Sequence, residues 1–275
     1  MIALIVLMYC AVVRADGGLN ISKIIAAYSA YLNGAFKEGE WMLSISMNGI
    51  DHGAFLAEKN QRENTARQRL NDVGIVDLDK RLERGRRSAV MPASVPKLEK
   101  VGVYRWHRIR RTTLSSSYPE LIWPDPGPEY LFRIQIENKV HEVSGEVAGK
   151  MIRWTVPQLT PGTHEMFMSA YRISDAVELF QAKHSAQLIW LDQAQTARID
   201  QRVTTLLDET GDDPWILANY LDSEGVLVPA FDYYEQAWKR DPVNGMIAQL
   251  LLKVTKQLGL QRHFQFYWFV NTIVG

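Results

Sequence analysis

The spacing of hydrophobic and polar residues divides the chain into three regions. Before about residue 96, apolar residues recur at helical spacing, as in the stripe Ile21, Ile24, Ile25, Tyr28 and Leu32. From Val101 to about Leu191 the period changes to two, and turn residues separate short apolar runs. From Ala194 onward the helical spacing returns. The pattern predicts an α+β multidomain chain with an N-terminal helical region, an antiparallel β-sandwich and a helical C-terminal tail.

The first residues carry a candidate export signal. An apolar run, Ile2 to Val13, precedes Arg14-Ala15-Asp16 and is shorter than the ~20 residues that span a bilayer. It fits the core of a secretory signal peptide, with Val13 and Ala15 as small residues before a cut; the alternative is a buried strand. We expect residues 1–15 to be removed and the remaining chain to be periplasmic or secreted. Cys10 is the only cysteine, so the mature chain would have neither disulfides nor thiol chemistry.

Residues 16–96 are expected to form the helical N-terminal region and to end in a linker. Phe55 to Leu70 is dense in charge with few apolar positions, which predicts a solvated helix with a narrow packing seam. The basic cluster from Arg81 to Arg87 is interpreted as solvated linker. Pro92 and Pro96 mark the linker from Ser88 to Pro96.

Residues 97–191 are expected to form the β-sandwich domain. In Tyr130–Ile136, one apolar set of side chains alternates with Leu131, Arg133 and Gln135, which gives one face to a core. The predicted strand runs are Val101–Thr113, Glu120–Trp123, Tyr130–Glu137, Lys150–Val156, Glu165–Ile173 and Val177–Trp190. Short strands at near-regular spacing, with no helices between them, favour an antiparallel sandwich.

Four of these stretches together resemble a fibronectin type III-like module of the immunoglobulin-like class. They are Pro119–Trp123, Tyr130–Ile136, Trp154–Thr163 and Met166–Tyr171, with a tryptophan on an early strand and a Leu-x-Pro-Gly turn before a later one. The resemblance covers about a third of the chain and implies a fold without implying any chemistry.

Residues 192–275 are expected to form helical hairpins. Asp213-Pro214 is a helix start with an N-cap and a proline at the first helical position. After it, Leu217, Ala218, Leu221, Ala230, Tyr234, Ala237 and Pro242 resemble the tetratricopeptide repeat in spacing. A possible capping helix, Ala194–Asp208, precedes this repeat and a degenerate one begins at Ile247. Because such arrays need about three units to bury a continuous core, the tail should pack on the sandwich or on a partner.

Two groups of residues are candidates for binding a partner. In tetratricopeptide-like repeats the first helix of each pair usually lines a peptide-binding face, which implies contact roles for Trp215, Asn219, Tyr220 and Asp222. The alternative is that Trp215 and Tyr220 close a core against the sandwich. The second group is Arg105, Trp106 and Arg108, where interleaved arginine and aromatic residues suit an anionic glycan or an envelope surface. Its alternative is an edge strand whose charges prevent sheet pairing.

Composition and motif spacing argue against several other functions. Lysine plus arginine equals aspartate plus glutamate at 31 each, which disfavours a nucleic-acid-binding surface. No two of the six histidines have a metal-ligand spacing. Neither a nucleophile elbow nor a phosphate-binding loop is present, so no cofactor, metal site or catalytic residue is expected. Asp125 and Glu129 are interpreted as turn residues that bond their own backbone.

These observations favour a non-enzymatic, exported protein-binding or scaffold protein of the cell envelope, with a protein partner that the sequence does not identify. One alternative is a carbohydrate-binding or carbohydrate-active accessory protein that uses the sandwich loops with Trp123, Trp154 and the strand Arg105–Arg111. Another is a structural subunit of a larger assembly, suggested by the apolar run Phe264–Val270.

Overall fold

The computed structural model describes residues 52–89, 111–147, 150–176, 178–181, 185–241 and 244–260. These residues fall into two compact units, one holding 52–89, 241 and 244–250, and the other 111–240 and 251–260. The proposed signal peptide, the stripe from Ile21 to Leu32, the candidates Arg105, Trp106 and Arg108, Pro242, and the apolar run Phe264–Val270 lie outside the described residues. No helix in the described ranges is long and apolar enough to cross a membrane.

The described N-terminal region consists of two helices, α1 (His52–Asp72) and α2 (Leu78–Ala89). The prediction of a charged helix over Phe55 to Leu70 is confirmed. The interpretation of Arg81 to Arg87 as linker is wrong, because these residues belong to α2 and Arg81 is buried. The reason is the i, i+4 pair Leu78 and Leu82, which gives this charged segment a buried apolar seam.

Eight strands follow in the described residues. They are β1 (Arg111–Leu114), β2 (Glu120–Pro124), β3 (Tyr130–Ile136), β4 (Lys139–Ser144), β5 (Met151–Thr155), β6 (Gly162–Arg172), β7 (Glu178–Gln181) and β8 (Ala186–Trp190). One sheet has the order β1-β8-β6-β3-β4, with β7 also paired to β6, and a second sheet pairs β2 with β5. The central β-region and its flanking helical regions therefore match the predicted order.

Two features of the sheets differ from the prediction. β1 and β8 are parallel, with Arg111 opposite Gln187, so the expectation of a wholly antiparallel arrangement is wrong at this pair. These strands are far apart in sequence, and no hairpin forces them to run in opposite directions. β4 was not predicted as a strand, because it is an edge strand whose side chains are only partly covered and its alternation is weak.

The two sheets share one hydrophobic core. Leu121, Trp123 and Ile152 of the smaller sheet belong to the same buried cluster as Phe132 and Leu188 of the larger one. The Trp123 ring meets the Phe132 ring edge-on, with centroids 5.5 Å apart. The predicted alternation in β3 is confirmed, since its even-numbered residues Phe132 to Ile136 are buried while Arg133 and Gln135 are exposed.

A buried carboxylate organises one end of the β-region. The Asp125 Oδ1 atom accepts from the amide of Gly127 at 2.8 Å, and its Oδ2 atom accepts from the amides of Glu146 and Val147 at 2.8 and 2.7 Å. Asp125 therefore bonds turn backbone, as the sequence indicated. Gly145 fits tightly beside it, because a Cβ at this position would lie 2.1 Å from the Gly127 carbonyl oxygen.

Four helices complete the described chain: α3 (Gln193–Thr210), α4 (Pro214–Ser223), α5 (Leu227–Arg240) and α6 (Gly245–Gln257). The predicted start at Asp213-Pro214 is confirmed, since the Asp213 side chain accepts from the Trp215 amide at 3.1 Å. α4 packs along α5, and the small residues Ala218 and Ala230 are completely buried, as is Tyr234.

Within the second unit, the β-region is joined to α3, to the loop between α4 and α5, and to α5 by polar contacts. The Thr113 amide donates to the carbonyl of Gly225 at 3.2 Å, and the Ser117 hydroxyl donates to Asp200 at 2.6 Å. The Arg153 guanidinium of β5 binds both Glu120 and Asp232 of α5. Burial raises the pKa of Asp232, and the Arg153 charge opposes that rise. These bonds fix the helices to the β-region.

We expect Gly145→Ala to destabilise the protein by about 3 kcal/mol, because the new methyl group would collide with backbone. The control is Gly211→Ala, where the backbone is left-handed (φ 63°) and no atom lies within 4 Å of the new Cβ. It should cost only about 1 kcal/mol. Urea unfolding measures both. Equal losses for the two variants would contradict the tight fit at Gly145.

Stability should fall as the pH rises above about 10, the usual pKa of tyrosine. Burial raises the pKa of Tyr118, and the nearby Asp200 carboxylate raises it further. The unfolded chain then loses the phenolic proton at a lower pH than the folded chain does, so deprotonation favours unfolding. Urea unfolding at several pH values should show a shallower alkaline loss for Tyr118→Phe. If the free energy of unfolding of Tyr118→Phe fell with rising pH as steeply as that of wild type, this account would be contradicted.

Candidate binding surface

The structure brings the four predicted contact residues of the tail together on α4, but it buries them. Trp215, Asn219, Tyr220 and Asp222 are all buried within the chain. The Trp215 ring packs at a tilt on the ring of Tyr234 in α5, with centroids 6.0 Å apart. The Asn219 amide donates to the Trp215 carbonyl one turn earlier, at 2.8 Å. This placement favours the alternative in which the aromatic side chains close a core.

Asp222 takes part in a buried polar cluster. Its two carboxylate oxygens each lie 2.7 Å from the Lys253 ammonium of α6, and Oδ2 also accepts from the Tyr234 hydroxyl at 3.3 Å. A buried ion pair of this kind depends on both partners, because removal of one leaves the other charged in a poorly solvated site. Within the second unit, the geometry therefore gives Asp222 a role in holding Lys253 of α6 and Tyr234 of α5 beside α4. A partner-binding role for these four residues stays a prediction.

In the part of the chain that the structure describes, no three His, Cys, Asp or Glu side chains are grouped as a metal site requires. His164 is buried and its two ring nitrogens lie 2.5 Å from Glu137 Oε1 and 2.7 Å from the Thr160 carbonyl oxygen. Both nitrogens are thus occupied by contacts inside the fold.

Trp123 and Trp154, which the carbohydrate-binding alternative uses, differ in how far they are exposed. Trp123 is only 2% exposed and packs in the core, so its ring offers no face to a sugar. Trp154 is half-buried, and its ring centroid lies 5.4 Å from that of His141. A glycan-binding role through Trp123 has no support from this geometry.

The larger sheet exposes much of its outer face, on which Ser169 is buried and Leu131 and Tyr171 are half-buried. We define this face by three rows of residues that follow from the strand register. The rows run across β4, β3 and β6 and consist of Ser144, Leu131 and Tyr171; Glu142, Arg133 and Ser169; and Val140, Gln135 and Phe167. The inward residues of the same strands form the core. Alternation along each strand therefore places this second set of side chains on the opposite side of the sheet.

Arg133 is held in place at the centre of the outer face. Its Nη2 atom donates to Glu142 at 2.9 Å, and the guanidinium carbon lies 5.1 Å from the centroid of the Tyr171 ring. The Tyr171 hydroxyl in turn donates to Glu178 at 3.4 Å. An arginine fixed by a carboxylate and an aromatic ring loses less side-chain entropy when it makes a new contact.

The third row exposes apolar surface beside this arginine. Val140 is 54% exposed and Phe167 is 42% exposed, and both lie opposite Gln135 in the register. Aromatic and arginine side chains are the types enriched where proteins contact each other. The outer face therefore combines exposed apolar side chains with an arginine, which are side-chain types that protein contacts use.

Sequence reasoning did not identify this surface. Phe167 was inside a predicted strand, and alternation with the inward Met166 and Met168 could have placed it outside. The general tendency of phenylalanine to be buried more often than methionine would instead have placed Phe167 in the core. Val140 had no signal, because β4 was not predicted.

Residues 107–191 match the family model of the immunoglobulin-like domain of the magnetotaxis protein MtxA. The match spans about a third of the chain and coincides with the β-region from β1 to β8. It supports an immunoglobulin-like β-region, in agreement with the class that the sequence suggested. A comparison with curated proteins finds no match to this chain.

We expect Asp222→Ala to destabilise the protein by about 3–5 kcal/mol, because Lys253 would stay buried without its carboxylate. The control is the double variant Asp222→Leu with Lys253→Met, which removes both charges and should lie within about 1–2 kcal/mol of wild type. Urea unfolding compares them. A loss below about 1 kcal/mol for the single variant would mean that the pair is solvated.

Proposed function

We propose that the chain is an exported, non-enzymatic protein-binding or scaffold protein of the cell envelope. In this proposal the immunoglobulin-like region binds a protein partner through its outer face. The observation that carries the proposal is the exposed row of Val140, Gln135 and Phe167 beside the fixed Arg133.

The domain class supports the proposal. Immunoglobulin-like modules commonly serve as interaction or structural modules, and function on such a fold depends on the surface of the particular protein. The matched family is named for magnetotaxis. Because the match is confined to one domain, we take from it only the class of module.

The finer architecture is part of the proposal. We infer that the two sheets with their shared core form a sandwich, and that α4 and α5 form a tetratricopeptide-like hairpin. The buried Leu217, Ala218, Ala230, Tyr234 and Ala237 support the hairpin, since these are the positions that such a repeat uses for close packing. In this arrangement the helices support the β-region, and the contact surface lies on the sheet.

The proposed location in the cell envelope requires that the chain is exported. The export proposal rests on the N-terminal apolar run, Ile2 to Val13. Cell fractionation and the intact mass of the recovered chain test it together. Recovery from the extracytoplasmic fraction, with a mass that lacks residues 1–15, is the expected result. Recovery of the uncleaved chain from the cytoplasm would contradict it.

The outer face is tested by affinity. A protein that co-purifies with the tagged native chain is identified, purified and titrated against wild type, Phe167→Ala and Arg133→Ala. Each variant should bind at least about tenfold more weakly, which corresponds to about 1.4 kcal/mol.

Val147→Ala is the matched control, because Val147 is also an exposed apolar residue but lies in the loop after β4. It should bind within about twofold of wild type. Unchanged binding by all three variants would reject the outer face as the contact surface. Conversion of a substrate by the purified chain would reject the non-enzymatic class.

A further inference from the structure

β4 is an edge strand with an open side. It pairs with β3 over six consecutive residues without a bulge, and no described strand pairs with its other side. The two-residue turn Glu137-Asn138 places Ile136 opposite Lys139. In such a hairpin the flanking pair is hydrogen-bonded, so the backbone groups of Lys139, His141 and Val143 point to β3. Those of Val140, Glu142 and Ser144 point away from the sheet.

The outward backbone groups have no other partners in the described structure. No side chain and no described loop backbone bonds the amides of Val140, Glu142 or Ser144, and their side chains are exposed. Successive outward groups are about 6.8 Å apart, which is the spacing that an added strand satisfies. The occupant that this edge fits is therefore another β-strand.

The usual protections of an edge strand are weak in β4. It contains neither proline nor a bulge. Glu142 is the acidic residue of the strand, and Arg133 of the same sheet already pairs with it at 2.9 Å. Lys139 and Glu142 give the strand no net charge, so a second copy of β4 would not be repelled.

We propose that β4 binds β4 of a second copy of this chain, antiparallel and with His141 at the twofold axis. Two residues that lie opposite each other in an antiparallel pair must have their side chains on the same face of the joined sheet. The twofold axis therefore passes through a residue and not between two residues. An axis at His141 or Glu142 pairs five residues of each strand, whereas an axis at Val140 or Val143 pairs only three. The axis at Glu142 would oppose two glutamates, which is unfavourable.

With the axis at His141, Val140 lies opposite Glu142 of the second copy and Lys139 lies opposite Val143 of the second copy. No like charges meet, and the two outward pairs form four amide-to-carbonyl hydrogen bonds. The contact also extends the outer face across the joint, with Val140 and Phe167 on the same side.

The dimer is expected to be weak. A contact of five residues on each strand buries less than the roughly 800 Å² per partner of a stable complex. The chain should therefore change from monomer to dimer as its concentration rises through the micromolar range. The inference rests on the proposed protein-binding function, but it concerns the edge and a self-partner, and its test needs only the purified chain.

Analytical ultracentrifugation of the full-length chain between about 1 and 300 µM measures the association. Wild type should shift from monomer to dimer. Val140→Pro removes one outward amide and leaves the bonds to β3 intact, since proline is tolerated on an edge strand. It should weaken the dimer at least tenfold.

Val140→Glu is a second disruptive variant that keeps the backbone amide, because it places a glutamate opposite Glu142 of the second copy, and Val147→Glu is the control off the strand. Val140→Glu should weaken the dimer and Val147→Glu should not. Thermal unfolding checks that each variant is folded. A wild-type monomer at every concentration, or a dimer that both Val140 variants retain, overturns the proposal.

The register has its own test. In a Cys10→Ser background, His141→Cys should form a disulfide between two copies under oxidising conditions. The reason is that the Cα atoms of directly opposite residues in a non-hydrogen-bonded pair lie about 4.5 Å apart. Ser144→Cys should not, since the two copies of residue 144 would be about 20 Å apart along the strands. A crosslink at residue 144 and none at residue 141 overturns the proposed register. Any of these failures leaves the outer-face test with Phe167→Ala unaffected.

Discussion

The architecture depends on the one core that the two sheets share. Trp123 of the smaller sheet and Phe132 of the larger sheet meet inside it. Alternation along each strand then assigns every other side chain to the opposite side of its sheet. On the smaller sheet that side is covered, because Ile122 is buried, α5 contacts β2, and Arg153 bonds Asp232. On the larger sheet it remains exposed and carries Arg133 and Phe167. The location of the candidate contact surface is thus a consequence of how the core is closed.

The helices contribute to this arrangement through buried polar contacts as well as through apolar packing. The Asp222–Lys253 pair lies among buried residues and joins α4 to α6. Such a pair adds little net stability over an apolar pair of the same size, but it is costly to break. It therefore favours one packing of the helices over others. Trp215 and Asp222, two of the residues predicted to contact a partner, are thus buried and make contacts inside the helical region.

The sequence predicted the elements whose signal is local. The alternation in Tyr130–Ile136 and the cap at Asp213-Pro214 depend on neighbours in the chain, and both are confirmed. β4 and the parallel β1–β8 pair were missed, because an edge strand needs little apolar alternation and pairing direction is set by distant residues. The side to which Trp215 points was also not predictable, since residues 214–222 of α4 are buried on every side of the helix and its apolar residues form no single stripe. The candidate surface was not predicted, because its residues become neighbours only after the sheet has formed.

The central claim is that one side of the larger sheet is closed by the core, while the outer face and the β4 edge are open to a partner. Residue-resolved amide hydrogen exchange on dilute monomeric protein tests this claim most directly. The amides of His141 and Val143, which bond β3, should exchange slowly, and those of Val140, Glu142 and Ser144 should exchange rapidly. Alternating protection along β4 would support an open edge. Uniform slow exchange over all five residues in the monomer would contradict it.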